Sequence, residues 1–379
     1  MGIFRRGKAE SRAVDTSAFL TDSDWWRTTR VDPIRLVPVY SAVSLLADSV
    51  ASLPLQAFRA RPDGTRERTS TPRLFTDPAS EGTLYDWVHQ AMTSLLLRGN
   101  AYGLVTAVGA DGWPTSMEWL DPARVGVTGR PGAVDYTYTG RPLDRGSVVH
   151  IRAFSMPGAL KGLSPLEQFA TTFEMGLSAE SSARDWYANG VTPAHSLQNS
   201  ERTIPQSVAM DAKAAYRAAV RSGDVFVHGK DWNLSTLGVS AGEAQFLEGI
   251  KATATQVAAI YRVAPEDIGG DTGSSMTYST TEMQDIRFLT RSLRPWLVRL
   301  EQSFSRLVPR PVYMRFNADA MIRTDLKSRW QVHQIATGIG AVTVNEVRAV
   351  EDRPPVEWGD EPMSMQADLP EVGDKPEEG

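Results

Sequence analysis

The 379-residue chain contains no cysteine. Disulfides, cysteine-based zinc sites and thiol catalysis are therefore excluded, and a reducing compartment is the natural setting. It also lacks any apolar run approaching the ~20 residues that a membrane-spanning helix requires. Its first residues carry Arg5, Arg6, Lys8 and Arg12, followed by Asp15, Asp22 and Asp24 where a secretory signal would place an apolar stretch. The expectation is a protein assembled in the cytoplasm, with no membrane partner. Histidine is scarce, and His89, His150, His195, His228 and His333 include no pair at i, i+4 or at a metal-ligand spacing. Neither a metal nor a cofactor is expected. Positive charge is not in excess either. A formal net charge of −5 argues against gripping nucleic acid by broad neutralisation. It leaves open a surface past which DNA slides, because weak or repulsive walls prevent sticking.

Hydrophobic content of 41% and charged content of 22% are those of a folded chain. No internal repeat is found. Residues 1–37 read as a polar arm with Trp25 and Trp26 as possible anchors. A helix is predicted from about Pro38 to Leu53, because Val39, Val43, Leu46, Val50 and Leu53 form one apolar stripe and Pro54 stops it. After a turn at Pro62-Asp63-Gly64, Trp87, Val88, Ala91, Met92 and Leu95 line a second amphipathic helix, Leu84–Arg98, with Gly99 as its C-cap. Asp111-Gly112 between two alternating runs is a hairpin signal, and short strands are predicted at 125–128, 134–139 and 148–152. Residues 38–152 thus read as one α+β unit.

Ser164-Pro165-Leu166-Glu167 is a capping box that opens a long helix to about Asn189. An insert, 191–240, carries its own helix (about 205–221) and a strand (225–228). A second long helix, about Glu243–Arg262, ends before Pro265. The glycine- and hydroxyl-rich segment Ala264–Thr280 is predicted as a loop, and Thr281–Leu307 as the longest helix, kinked at Pro295. A strand at Val312–Phe316 and two helices follow, the second opened by the capping box Thr343-Val344-Asn345-Glu346. From Glu351 the chain is acidic, and residues 354–379 are expected to form a flexible tail. Long helices that outrun a compact domain need neighbours, and other subunits of a symmetric ring would supply them.

Apparent catalytic motifs are weak. Asp271-Thr272-Gly273-Ser274 matches the core of an aspartic protease signature, but Gly269-Gly270 precede it where an apolar strand is needed, and no second copy exists to share the proton. Gly223 to Lys230 fails as a phosphate-binding loop, because the spacing is one residue too long and Asp231 stands where Ser or Thr must hold Mg²⁺. Arg287, Arg291 and Arg294, with Arg299 and Arg306, share much of one helical face. Pairing with Glu282, Asp285 and Glu301 makes that face a solvated or intersubunit one. A lining near DNA is the other reading.

The runs Val149-His150-Ile151-Arg152, Gly162-Leu163-Ser164-Pro165-Leu166 and Trp186-Tyr187-Ala188-Asn189-Gly190 resemble the portal proteins of tailed phages. So do Ile260–Gly269, with its Val-x-Pro-x-x-Ile-Gly turn, Thr277–Glu282, Phe288-Leu289, Leu293–Trp296 and Val344–Arg348. The likeness spans roughly residues 38–358. It implies a portal-type α+β subunit: an α/β wing, two long stem helices bracketing a small α/β clip, a long kinked tunnel helix and a small helical crown. The implied divisions are wing 38–163, first stem helix 164–190, clip 191–240, second stem helix 241–263, tunnel loop 264–280, tunnel helix with a wing strand 281–317, and crown 318–353.

The resemblance further implies a non-enzymatic homo-oligomeric ring, commonly of twelve, at one vertex of the virion. Double-stranded DNA would pass through it, and the terminase large subunit, the head-tail connector and the major capsid protein would be its partners. Gly269, Gly270, Asp271, Ser274, Ser275, Met276, Thr277 and Tyr278 would face the DNA without reading its sequence. Arg287, Arg291 and Arg294 would serve the subunit interface or the channel. Two alternatives stay open: another virion or connector subunit, and a hydrolase using Asp271.

Overall fold

A computed structural model describes residues 32–188, 195–199, 205–222, 227, 232–236, 242–270, 278–318, 326–351 and 353–361. In chain order the elements are α1 (Val37–Ala51), β1 (Leu55–Ala60), β2 (Arg66–Thr69), α2 (Leu84–Arg98), β3 (Asn100–Val108), β4 (Pro114–Leu120), β5 (Val125–Arg130), β6 (Ala133–Tyr138), β7 (Arg141–Leu143) and β8 (Val148–Arg152). There follow α3 (Pro165–Gln168), α4 (Ala170–Ala188), β9 (His195–Asn199), α5 (Gln206–Ser222), β10 (Trp232–Thr236), α6 (Gly242–Tyr261), α7 (Tyr278–Arg287), α8 (Arg294–Phe304), β11 (Val312–Phe316), α9 (Leu326–Gly338) and α10 (Val344–Val350). These form two units, one within Met1–Thr277 and Arg287–Asn317, the other within Tyr278–Ile286 and Ala318–Gly379. No described helix is long and apolar enough to cross a membrane.

In the first unit the stripe of α1 is buried as its spacing predicts, with Val39, Leu46 and Val50 wholly inaccessible. α2 packs on it. The helix starts at a reciprocal capping box, Thr83 with Asp86, which the sequence reading did not single out, and ends at Gly99 in the left-handed region (φ 68°). Trp87 Nε1 donates to the Met117 carbonyl at 2.8 Å, and Trp119 Nε1 donates to the Trp87 carbonyl at 2.8 Å. The Trp87 ring lies 5.3 Å from Phe304 and 4.9 Å from Trp119, so one aromatic cluster joins α2, β4 and α8. Each such buried ring is worth about 1.5–3 kcal/mol of transfer free energy.

Three antiparallel sheets make the rest of this unit's body: β4-β3-β8, β5-β6-β7 and β11-β1-β2. The last was only half foreseen. β1 pairs Leu55 with Phe316 and Arg59 with Val312, across about 250 residues of intervening chain. The insert departs further from expectation. Its described strands are β9 and β10, paired antiparallel from Trp232↔Asn199 to Thr236↔His195. The strand expected at 225–228 lies outside the described residues, apart from Val227, which is not in a strand.

A buried polar knot ties the α2–β3 junction to the segment that enters α3. The Asn100 side chain accepts from the Gly162 N–H at 2.7 Å and donates to the Gly162 and Arg98 carbonyls. Gly99 and Gly162 meet backbone to backbone. A Cβ on Gly99 would stand 1.9 Å from the Leu163 oxygen, and one on Gly162 would stand 2.2 Å from the Gly99 oxygen. The Ser164 Oγ accepts from the Glu167 N–H, but the reciprocal half of the expected capping box does not form. Glu167 instead pairs with Arg98 at 3.3 Å. The long helix is also not continuous. It breaks at Phe169 (φ −113°, ψ 23°), separating the four-residue α3 from α4.

His150 belongs to the same knot. Its Nε2 lies 3.0 Å from Asn100 Oδ1 and its Nδ1 lies 3.3 Å from Tyr136 Oη, while its ring stacks on Tyr102. Asn100 Oδ1 is an acceptor, so Nε2 carries the proton and Nδ1 accepts from the phenol: a neutral imidazole satisfies both contacts. Burial, with Arg152 and Lys161 nearby, lowers its pKa to about 3. Because the folded pKa lies below the unfolded value of ~6.5, the unfolded state binds the extra proton. Stability from this group is full above pH ~6.5 and is lost as pH falls toward 3. Denaturant titrations should show the unfolding free energy dropping by up to about 1.4 kcal/mol per pH unit in that window. His150→Gln should remove that component, and an unchanged slope would contradict the assignment.

In the second unit Thr343 and Glu346 form the expected reciprocal capping box at the start of α10. His333 Nε2 meets Glu351 Oε1 at 3.0 Å. Residues 354–361, within the segment expected to form a flexible tail, are instead hydrogen-bonded to α10. Asn345 donates to the Val356 carbonyl and Asp360 and accepts from the Val356 N–H, while Arg348 Nε donates to the Pro354 carbonyl at 2.7 Å. These bonds outweigh the acidic composition over 354–361 and fold the segment back on α10.

Candidate functional site

The expected site is the segment between α6 and α7 together with the arginine face that follows. α6 ends because Arg262 turns into the left-handed region (φ 58°) and the Val263 N–H reaches back to the Ala258 carbonyl at 3.1 Å. This is a Schellman closure with Val263 buried beneath it. Glycine normally occupies that position, and a side chain there costs about 1–2 kcal/mol. Beside it Tyr261 is buried, and its hydroxyl has no hydrogen-bond partner among the described residues. Burial pushes this phenol up.

Pro265–Ile268 form one turn of 3₁₀-helix, with Pro265 at its start and Ile268 buried. Gly269 follows at φ 85°, and the Gly270 N–H donates to the Pro265 carbonyl at 2.7 Å. A Cβ on Gly270 would come within 2.7–2.8 Å of Pro265. The two glycines therefore answer different demands: Gly269 the backbone sign, Gly270 the close approach. Ala264–Gly270, expected as loop, is thus a hydrogen-bonded turn. Asp271, Ser274, Ser275, Met276 and Thr277 lie outside the described residues. Tyr278, expected in the loop, is the first residue of α7, three residues before the predicted helix start.

The kink expected at Pro295 is a π-helical segment, Phe288–Leu293, in which the Arg294 N–H bonds to the Leu289 carbonyl. Pro295 has no N–H to offer the Arg291 carbonyl, and its ring crowds that group, so the ladder widens by one residue just before it. Ser292, within this segment, donates its Oγ–H to the Arg262 carbonyl at 2.5 Å. That bond clasps the end of α6 to the helix that follows the loop.

Arg287, Arg291 and Arg294 are exposed, but the π-helical segment between Arg287 and Arg294 turns Arg294 away from the single face that the i, i+4, i+7 spacing predicts. One expected partner, Glu301, is engaged elsewhere. Glu301 accepts from the Phe316 N–H at 2.8 Å, and burial pushes its carboxyl up against the opposing pull of that bond. The Glu282 side chain lies outside the described residues. Among the described residues none of the three arginines forms an ion pair. Arg299 instead lies over the Trp296 ring at 5.3 Å. Arg262 escaped the sequence reading, since only its backbone conformation sets it apart. No group of His, Asp or Glu among the described residues is placed to hold a metal ion.

The family model for phage portal proteins matches residues 38–352. The chain belongs to the phage portal protein family. Portal proteins are structural components rather than known enzymes. Two curated relatives agree. The probable portal protein of Streptomyces phage phiC31 is 29% identical over 91% of this chain and 81% of its own length. The portal protein of Enterobacteria phage HK97 is 26% identical over 89% of this chain and 83% of its own length. Among solved structures, a chain in the neck of a native gene transfer agent particle, computed with C12 symmetry, superposes with a TM-score of 0.60. It is 19% identical and covers 91% of this chain and 99% of that one, a likeness of fold.

Proposed function

We propose that this portal protein is one subunit of a homo-oligomeric ring, of about twelve copies, at one vertex of a virion. Double-stranded DNA passes through the ring during packaging and ejection. Its partners are the terminase large subunit, the head-tail connector and the major capsid protein, and it assembles in the host cytoplasm. The match of the portal model to residues 38–352 carries this reading, and the C12 setting of the gene transfer agent chain supports the copy number.

Within the subunit, residues 38–163 with β11 are the wing, α3–α4 and α6 the stem, and 191–240 the clip. Residues 264–277 are the tunnel loop, 278–307 the tunnel helix and 318–353 the crown. The packing of α4 on α6 supports the stem assignment: Gly176 is so close to Thr253 that a Cβ would stand 2.7 Å from its methyl. Gly269, Gly270, Asp271, Ser274, Ser275, Met276, Thr277 and Tyr278 face DNA in this reading. Arg287, Arg291 and Arg294 line the channel or the subunit joint.

Light scattering on the purified chain tests the assembly. Twelve copies of a 41.6 kDa chain give about 500 kDa. A stable dimer with peptidase activity would favour the Asp271 hydrolase instead.

A further inference from the structure

We infer that the cavity beside Asp32 is the seat of the arm that precedes it, with Arg27 and Arg30 of the same copy entering to meet Glu174 and Glu180 of α4. The cavity holds about 680 Å³. Asp32 and Arg35 line one side, where the described chain begins, and Glu174, Leu177, Glu180 and Arg184 of α4 line the other. All of them belong to the first unit. This seat fastens the arm to α4 and fixes where Met1–Trp26 leave the body, whatever the number of copies in the ring.

Three observations favour that occupant. The first is charge that the cavity leaves unanswered. Glu174 and Glu180 are half-buried, and neither forms an ion pair with a described residue, Arg35 and Arg184 included. Arg184 donates to Ser181 at 3.2 Å. Burial pushes the Glu180 carboxyl up, and a cation brought beside it offsets that penalty. A guanidinium suits the place, because its planar fork can bind a carboxylate through two parallel bonds. A bare metal ion does not, since no group of His, Asp or Glu among the described residues is placed to hold one. The second observation is reach. A chain spans at most ~3.6 Å per residue, so Arg30 lies within ~7 Å of Asp32 and Arg27 within ~18 Å, before either side chain extends. The third is composition. Trp25-Trp26-Arg27-Thr28-Thr29-Arg30-Val31 carries two arginines and no carboxylate.

The test is limited trypsin digestion of the full-length chain, read by mass spectrometry. Arg12 lies outside the proposed contact and serves as the internal reference. Proteolysis of a transiently opened segment tracks its open population, so cleavage after Arg27 and Arg30 should be roughly tenfold slower than after Arg12. In Glu174→Gln/Glu180→Gln both sites should be cut as fast as Arg12, giving chains that begin at Thr28 or Val31, while the folded body stays resistant. Equal rates at the three sites of the unaltered chain would overturn the inference. So would protection that survives the double substitution. A second variant keeps all four charges and decides the matter if the glutamine pair fails to fold. The chain has no cysteine, so Thr28→Cys with Ser181→Cys leaves a single pair of thiols, which a short bis-maleimide should join within one chain. Links formed between copies, or none at all, would overturn the seat.

Discussion

Replacing Gly99 by alanine is expected to destabilise the first unit by roughly 3–5 kcal/mol, enough to leave much of the chain unfolded or aggregated. Two costs combine. At φ 68° an alanine is strained by about 1–2 kcal/mol. Its Cβ would also lie 1.9 Å from the Leu163 oxygen and 2.6 Å from the Leu163 carbon. Those are backbone atoms with no rotamer to turn away, so the end of α2 and the segment entering α3 must separate. Separation breaks the Ala153 N–H to Gly99 carbonyl bond of 2.8 Å and strains the bonds of Asn100 to Gly162. Gly64→Ala is the control, because Gly64 has φ 85° and nothing within 4 Å of the added carbon. It should lose only the conformational share, about 1 kcal/mol. Chemical denaturation of both variants separates the two costs, and a Gly99→Ala loss no larger than that of Gly64→Ala would refute the close approach.

The second large effect is functional. Deleting residues 271–277 should abolish DNA packaging while subunits still fold and assemble. The elements that brace the flanking chain lie outside the deleted stretch. The Gly270 N–H bonds to Pro265, Ile268 is buried, and Ser292 clasps Arg262. Such a variant should yield capsids without DNA, scored by counting filled particles in complemented infections. Normal filling would end the tunnel-loop assignment. Asp271→Asn tests the remaining alternative, since it should leave packaging nearly unchanged in a channel and abolish activity in a hydrolase.

How legible these features are in the sequence depends on how local their causes are. α1, α2 and α6 follow from apolar periodicity with Pro and Gly punctuation, and they lie within a few residues of the predicted bounds. The β3–β4 hairpin follows from Asp111-Gly112. β1 escaped because Leu55–Ala60 is short and carries Arg59, and its strand character comes from pairing with β11, about 250 residues later in the chain. The break at Phe169 and the exact form of the Pro295 kink depend on how neighbouring carbonyls are satisfied in space. Around the candidate site, Gly269, Pro265 and Ile268 are readable as a turn motif. Arg262 is not, because nothing in an Arg-Val-Ala-Pro string announces a left-handed backbone. The spacing of the arginines is legible in the sequence, whereas the π-helical turn that separates Arg294 from Arg287 and the engagement of Glu301 with the Phe316 N–H emerge only in the structure.

The most direct test of the central claim is negative-stain imaging of the purified chain. The account predicts rings of about twelve subunits around a central hole wide enough for duplex DNA, ~20 Å or more. Compact dimers with no hole would contradict it.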